Sequence, residues 1–280
     1  MPTSAAVEFD IEAGLGVQLS GEQRGSGIPI VLLHGLTATR RYVIMGSSSL
    51  ERSGYRTIAY DARGHGRSSP ASSSDAYTYE LLTEDLRALL DGLEIERVAL
   101  AGASMGAQTA LRFALLQPQR VVALGLITPA FDPDLQAESG AYAGWDRLAQ
   151  GLREGGAEGF LDAYDLNPIP LRWRDTVAKV LLQRLSAHEH PLAVADALEA
   201  VPRSRPFESW QELAQIDVPT VVVGSRDEAD PTHPLAVAER YASAICGARL
   251  IVEQPESSPI AWQGGQLSKV LERLIEQADG

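Results

Sequence analysis

A serine flanked by glycines two places before and two places after, Gly102-Ala-Ser104-Met-Gly106, stands where the apolar run Val98-Ala-Leu-Ala gives way to the helix-forming stretch Ala107-Gln-Thr-Ala-Leu-Arg-Phe-Ala-Leu-Leu. Small residues are needed at both flanks because a chain that reverses so tightly between strand and helix brings its backbone against its neighbours. The Ser104 hydroxyl is thereby lifted above the sheet, beside a helix N-terminus whose N–H groups can stabilise a developing oxyanion. A serine so presented is a candidate nucleophile for acyl transfer. The alternative is a structural turn with an idle serine.

Two further segments fit the same frame. Pro29-Ile-Val-Leu-Leu-His-Gly35 reads as a buried strand ending in His-Gly, and Arg56-Thr-Ile-Ala-Tyr-Asp-Ala-Arg-Gly-His-Gly-Arg-Ser68 as a strand entering a D-x-R-G-x-G-x-S turn. With the serine turn, these resemble the α/β-hydrolase superfamily. The resemblance implies that the backbone N–H groups of Leu36 and Met105 form the oxyanion hole, and that the Asp61–Ser68 turn braces the site. His34 and His65 then read as structural residues.

The family's acid belongs in the loop after the strand Val218-Pro-Thr-Val-Val-Val-Gly224, and that loop, Gly224-Ser-Arg-Asp-Glu-Ala-Asp-Pro-Thr-His-Pro234, offers two carboxylates. Asp227 fits the G-x-x-D spacing from the strand end. Asp230 fits the D-P-x-x-P run into the next helix and is the slightly better match. Either would orient an imidazole and stabilise its protonated form.

The chain departs from the family where the histidine should stand. After Ala248-Arg-Leu-Ile-Val-Glu the family pattern has a G-H-x-P-like turn, whereas this sequence reads Gln254-Pro-Glu-Ser-Ser-Pro-Ile-Ala-Trp262, which puts Ser257 in the histidine slot; no histidine follows His233. A serine hydroxyl cannot take a proton at neutral pH as imidazole does. Three readings follow: His233 serves as a surrogate base from the acid loop, Ser104 is only weakly activated, or the site binds a small molecule without turning it over.

The surrounding elements are those needed to hold such a site. Residues 7–24 alternate as an antiparallel edge hairpin, and residues 29–128 alternate strand and helix, with helices expected near 40–53 and over 78–93. This predicts an α/β fold with a doubly wound, mostly parallel eight-stranded sheet carrying its site at the strands' carboxyl ends. Between about 129 and 215 the strand signal gives way to helical stretches, so three parts are expected: a first core part over 1–128, a helical cap over 129–215 and a second core part over 216–280. Tyr142, Trp145, Phe160, Tyr164 and Trp173 are candidates to line a substrate pocket there, or to pack the cap helices together. His188-Glu-His190 superficially resembles a metal pair, but without further ligands nearby it reads as a solvated helix end.

Composition sets the outer limits. The 280 residues, 45% hydrophobic and 22% charged, suit one large core with an insertion. A net charge of −13, from 24 basic against 37 acidic residues, argues against a nucleic-acid partner. One cysteine, Cys246, excludes an intramolecular disulfide and reads as a buried small hydrophobe. No stretch is apolar enough to span a bilayer and the first residues lack a signal-peptide pattern, so a cytoplasmic location and no membrane partner are expected. No metal, nucleotide or flavin motif is evident, hence no cofactor is expected, and a homo-oligomer is left open. The expectation is a cap-bearing serine hydrolase of small carboxylic esters, lactones or related acyl substrates, or else a catalytically impaired member that binds a small molecule under the cap. A serine at the turn argues against the fold's dehalogenase and epoxide hydrolase branches, which use a carboxylate nucleophile.

Overall fold

The edge hairpin forms as its alternation predicts: β1 (Val7–Glu12) pairs antiparallel with β2 (Gln18–Arg24) in the computed structural model, which describes residues 5–135, 142–254 and 262–278. Strand and helix then alternate through β3 (Pro29–Leu33), the short α1 (Ser49–Arg52), β4 (Arg56–Tyr60), α2 (Tyr79–Gly92), β5 (Val98–Ala103), α3 (Met105–Leu116) and β6 (Val121–Ile127). Three helices follow, α4 (Ala143–Ala163), α5 (Leu171–Leu185) and α6 (Pro191–Arg203), before β7 (Thr220–Gly224), α7 (Leu235–Ala244), β8 (Arg249–Val252) and α8 (Gly264–Ala278) close the chain. The eight strands lie in the order β1-β2-β4-β3-β5-β6-β7-β8, parallel from β4 to β8, with β2 joined antiparallel to β4.

The central strands are continuous apolar runs because both of their faces are covered. One face carries α2, α3 and α7, whose Leu86, Leu89, Ala110, Phe113 and Tyr241 pack on Val31, Leu100 and Val222. The other carries α1 and α8, with Leu50, Leu267, Leu271 and Leu274 against Ile30, Ala99 and Val221. The α2 helix begins where Thr78 caps it by accepting the Leu81 N–H at 3.4 Å, close to the expected start. The helix expected near 40–53 is instead a single turn at Arg40–Tyr42 and the four-residue α1. Met45 and Gly46 at positive φ, followed by three serines, interrupt it.

Helices α4, α5 and α6 build a third apolar cluster, in which Leu152, Phe160, Leu181, Leu185, Val194 and Leu198 meet Leu36, Tyr77, Leu82 and Met105. They are thus seated directly on the residues that neighbour Ser104. Cys246, read from sequence as buried, is exposed: Ile245 takes the buried place after α7, and the chain turns outward at Gly247, φ 71°. Among the described residues no helix is long and apolar enough to cross a membrane.

Candidate active site

Ser104 sits between β5 and α3 with φ 51° and ψ −114°. A non-glycine residue held there stores about 1–3 kcal/mol of strain, which the surroundings must offset. They do so through the Ser104 N–H donating to Ile127 O at 3.0 Å and Ser104 O accepting from Gln108 N–H at 3.1 Å. The flanking glycines are required by close approach. A Cβ at Gly102 would lie 2.2 Å from the Gly106 backbone, and one at Gly106 would lie 2.2 Å from Leu33 O. A Cβ at Gly35 would come within 3.5 Å of the Ser104 Cβ, so the loop after β3 lies against the serine.

The loop after β7 brings His233 to the same point. Its Nε2 lies 2.9 Å from Ser104 Oγ, and its Nδ1 lies 2.8 Å from each carboxylate oxygen of Asp230. A carboxylate only accepts, so Nδ1 carries the proton and Nε2 is left to accept from the serine hydroxyl. The Asp-Pro-Thr-His turn makes this geometry locally: Asp230 N–H donates to Asp227 O at 3.0 Å, His233 N–H to Asp230 O at 3.4 Å, and Thr232 Oγ1 to Asp230 Oδ1 at 2.7 Å. Burial pulls the Asp230 carboxyl upward, but the His233 hydrogen bond and charge, the Thr232 hydroxyl and the nearby Arg184 outweigh it, holding Asp230 below the usual carboxylate range.

The other candidate acid is placed differently. Asp227 accepts the Ala229 N–H at 2.9 Å and has no hydrogen bond to His233 among the described residues. Burial, together with the negative charges of Asp230, Glu253 and Glu228, pushes it up to about 6. Ser257 lies outside the described residues.

Behind the loop after β3, three histidines are spent on backbone. His34 Nε2 accepts the Ala62 N–H at 2.9 Å, which leaves Nδ1 to donate to Gly35 O at 2.8 Å. Since C=O and N–H of one trans peptide point opposite ways, this turns the Leu36 N–H away from the histidine; neither it nor the Met105 N–H has an acceptor among the described residues. His65 lies between Arg63 O at 2.9 Å and Leu36 O at 2.7 Å. His188 accepts the Gly66 N–H at 2.9 Å and reaches Thr37 O at 3.3 Å. The expectation of a solvated helix end therefore fails for His188, which is buried where the α5–α6 connection docks on the Gly64–Gly66 turn. Burial is the main reason that His34 and His188 are both lowered to about 3.

The turn carrying His65 is itself pinned. Arg63, fully buried, grips Asp85 through two 2.7 Å hydrogen bonds and Ala76 O through a third. Asp61 accepts from Arg40 N and Nη1, both at 2.8 Å, and from Arg67 N at 3.1 Å.

Of the five aromatic candidates, Phe160 is buried in the α4–α6 cluster and stacks on Tyr164 with ring centroids 6.1 Å apart, while Trp145 packs against the same cluster. The charge of Asp230 reaches Tyr164. Tyr142 lies under Arg203, and Trp173 under Arg172, with its indole Nε1 enclosed and without a hydrogen bond among the described residues. Sequence reasoning passed over Arg184 and Tyr42, whose ring centroid is 5.3 Å from the Arg184 guanidinium carbon. The signal was present: Arg184 follows Leu181 by three places and precedes Leu185, on the stripe of α5 that faces inward.

Comparison with known proteins agrees with this fold. The family model described as alpha/beta hydrolase fold matches residues 28–257. An epoxide hydrolase of Caballeronia sordidicola is 36% identical over 45% of this chain and only 39% of its own length. The 2-hydroxy-6-oxononadienedioate/2-hydroxy-6-oxononatrienedioate hydrolase 2 of Pseudomonas putida is 30% identical over 88% of this chain and 84% of that protein. Among solved structures, a hydrolase from Pseudomonas aeruginosa PA01 superposes with a TM-score of 0.72 at 27% identity, covering 99% of this chain and 100% of that one. Sheet order, the strained serine turn and a match running through most of the sequence lead to one conclusion: the chain belongs to the α/β hydrolase fold family.

Proposed function

We propose that the protein is a serine hydrolase of small carboxylic esters or lactones, with Ser104 as nucleophile, His233 as general base and Asp230 as the acid that orients it. The observation that carries this reading is the unbroken hydrogen-bonded line from Ser104 Oγ through both His233 nitrogens to Asp230. His233 Nε2 takes the proton from Ser104 Oγ as Oγ attacks the acyl carbon. Asp230 stabilises the imidazolium that forms. The Leu36 and Met105 N–H groups hold the oxyanion, and collapse expels the alcohol, which takes the proton back from His233. Water then repeats the sequence on the acyl-enzyme, restoring Ser104. In this reading His233 fills from the acid loop the role that the family pattern gives to the position of Ser257, and the region 129–215 is a cap over the reacting centre.

A p-nitrophenyl butyrate assay with fluorophosphonate labelling tests it. The wild-type protein should hydrolyse the ester and be labelled at Ser104, and Ser104→Ala should do neither. Equal hydrolysis by both proteins would remove Ser104 from the chemistry, and an unlabelled wild type would leave a site that only binds.

A further inference from the structure

One cation beside the proposed catalytic line has no ion-pair partner among the described residues. Arg184 reaches inward from α5, its Nε is enclosed without a hydrogen-bond partner, and no carboxylate stands within ion-pair distance of it among the described residues. The guanidinium lies against Tyr42, in the segment that follows the oxyanion loop, while its charge is felt by Asp230 and Tyr164. These groups come from three separate segments, the stretch after β3, the loop after β7 and the end of α4, and the Arg184 charge interacts with all three. Its own pKa is lowered by burial, yet an arginine remains charged at neutral pH.

An enclosed charge is costly unless something pairs with it. The two other enclosed arginines near the site follow that rule, Arg63 taking Asp85 and Arg40 taking Asp61. Asp230 does not serve Arg184 in this way, since its oxygens are directed to His233 and Thr232. A planar guanidinium laid on an aromatic ring is preorganised for two parallel hydrogen bonds to a carboxylate. The nearby negative charge of Asp230 favours a singly charged guest over a phosphate dianion.

We propose that Arg184 binds a carboxylate of the substrate, so that the esters or lactones turned over carry a free acid group in addition to the scissile acyl bond. This rests on the serine hydrolase reading above and narrows its substrate class.

A matched pair of substrates tests the proposal: neutral p-nitrophenyl butyrate and the mono-p-nitrophenyl ester of glutaric acid. In the wild type kcat/KM should favour the glutarate ester, and in Arg184→Gln the glutarate-to-butyrate ratio should fall about 10- to 100-fold, chiefly through KM, as expected for a lost charge-assisted pair. Arg184→Lys should recover part of the ratio by restoring charge without the fork. Arg184→Met, which keeps the length of the stem, should repeat the Gln result if the Gln protein folds poorly. A ratio unchanged by these substitutions, with kcat falling alike for both esters, would overturn the proposal, because Arg184 would then be acting through Asp230. If the wild type turns over neither ester, it is the hydrolase reading that fails, and calorimetry with glutarate alone decides the present one. Binding by wild type that weakens at least about tenfold in Arg184→Gln upholds it, whereas equal binding or none overturns it.

Discussion

His34, His65 and His188 lie with ring centroids 5.1 and 5.5 Å apart, each with both nitrogens directed at backbone groups, whereas His233 gives one nitrogen to a carboxylate and the other to a serine hydroxyl. The same side chain makes different pairings on the two sides of the loop after β3. In the first group, burial and mutual repulsion hold His34 and His188 neutral far below physiological pH, so their nitrogens act as fixed donors and acceptors. In the second, the ring is partly open to solvent and stands between the Asp230 carboxylate and the Ser104 hydroxyl. Surroundings, more than residue type, separate the buried structural histidines from the one proposed as the base.

The sharpest way to break this comparison is at His233. His233→Ala should lower kcat on short esters about 10²–10⁴-fold, or roughly 3–5 kcal/mol of barrier, without abolishing the fold. Ester kinetics and the melting transition, measured together, check this, and full activity would move His233 into the scaffold group. Next in size is the choice of acid. Asp230→Asn should cost a comparable factor by disturbing the imidazole tautomer, whereas Asp227→Asn should change kcat less than about threefold.

The scaffold histidines are probed by pH. A base whose pKa is depressed on folding contributes stability above its unfolded value of about 6.5, and that stability is lost as pH falls toward about 3. Urea unfolding should therefore weaken below pH 6.5 by about 1.4 kcal/mol per pH unit for each proton that the unfolded chain takes up. His188→Gln should remove about one proton from that slope. An unaltered slope would mean that His188 titrates in the native protein.

The smallest effect separates the two carboxylates by stability. Asp227 has a raised pKa, so its ionised form burdens the fold as pH rises through about 6. Asp227→Asn should stabilise the protein at pH 8 by about 1 kcal/mol, allowing for screening at a half-exposed site, and the gain should vanish below pH 3.5. A thermal melt at the two pH values is sufficient.

Much of this architecture was legible in the residues. The Gly-x-Ser-x-Gly turn between an apolar run and a helix is a backbone requirement written locally, and so is the alternation that sets the parallel sheet. What was not legible depends on distance in the chain. His188 meets Gly66 from 122 positions away, so its exposure could not be read from its polar neighbours Glu189 and His190. Arg184 carried a local clue, a charge on an inward stripe, but the absence of an ion-pair partner among the described residues is a property of several segments at once. The expected helix over 40–53 failed for a local reason, since Gly46 and the serines that follow favour turns.

Asp230 and His233 lie on one turn, three residues apart, rather than on two loops that must dock together. Their mutual spacing is therefore set within one turn, and only the reach of His233 Nε2 to Ser104 Oγ joins distant parts of the chain. In the proposed mechanism this makes the acid–base pair a portable cassette for an engineer. The segment Asp230-Pro-Thr-His-Pro234, set after the corresponding strand of another member of the family, would carry both groups at once. By the same token, a single small deletion within it would remove both together.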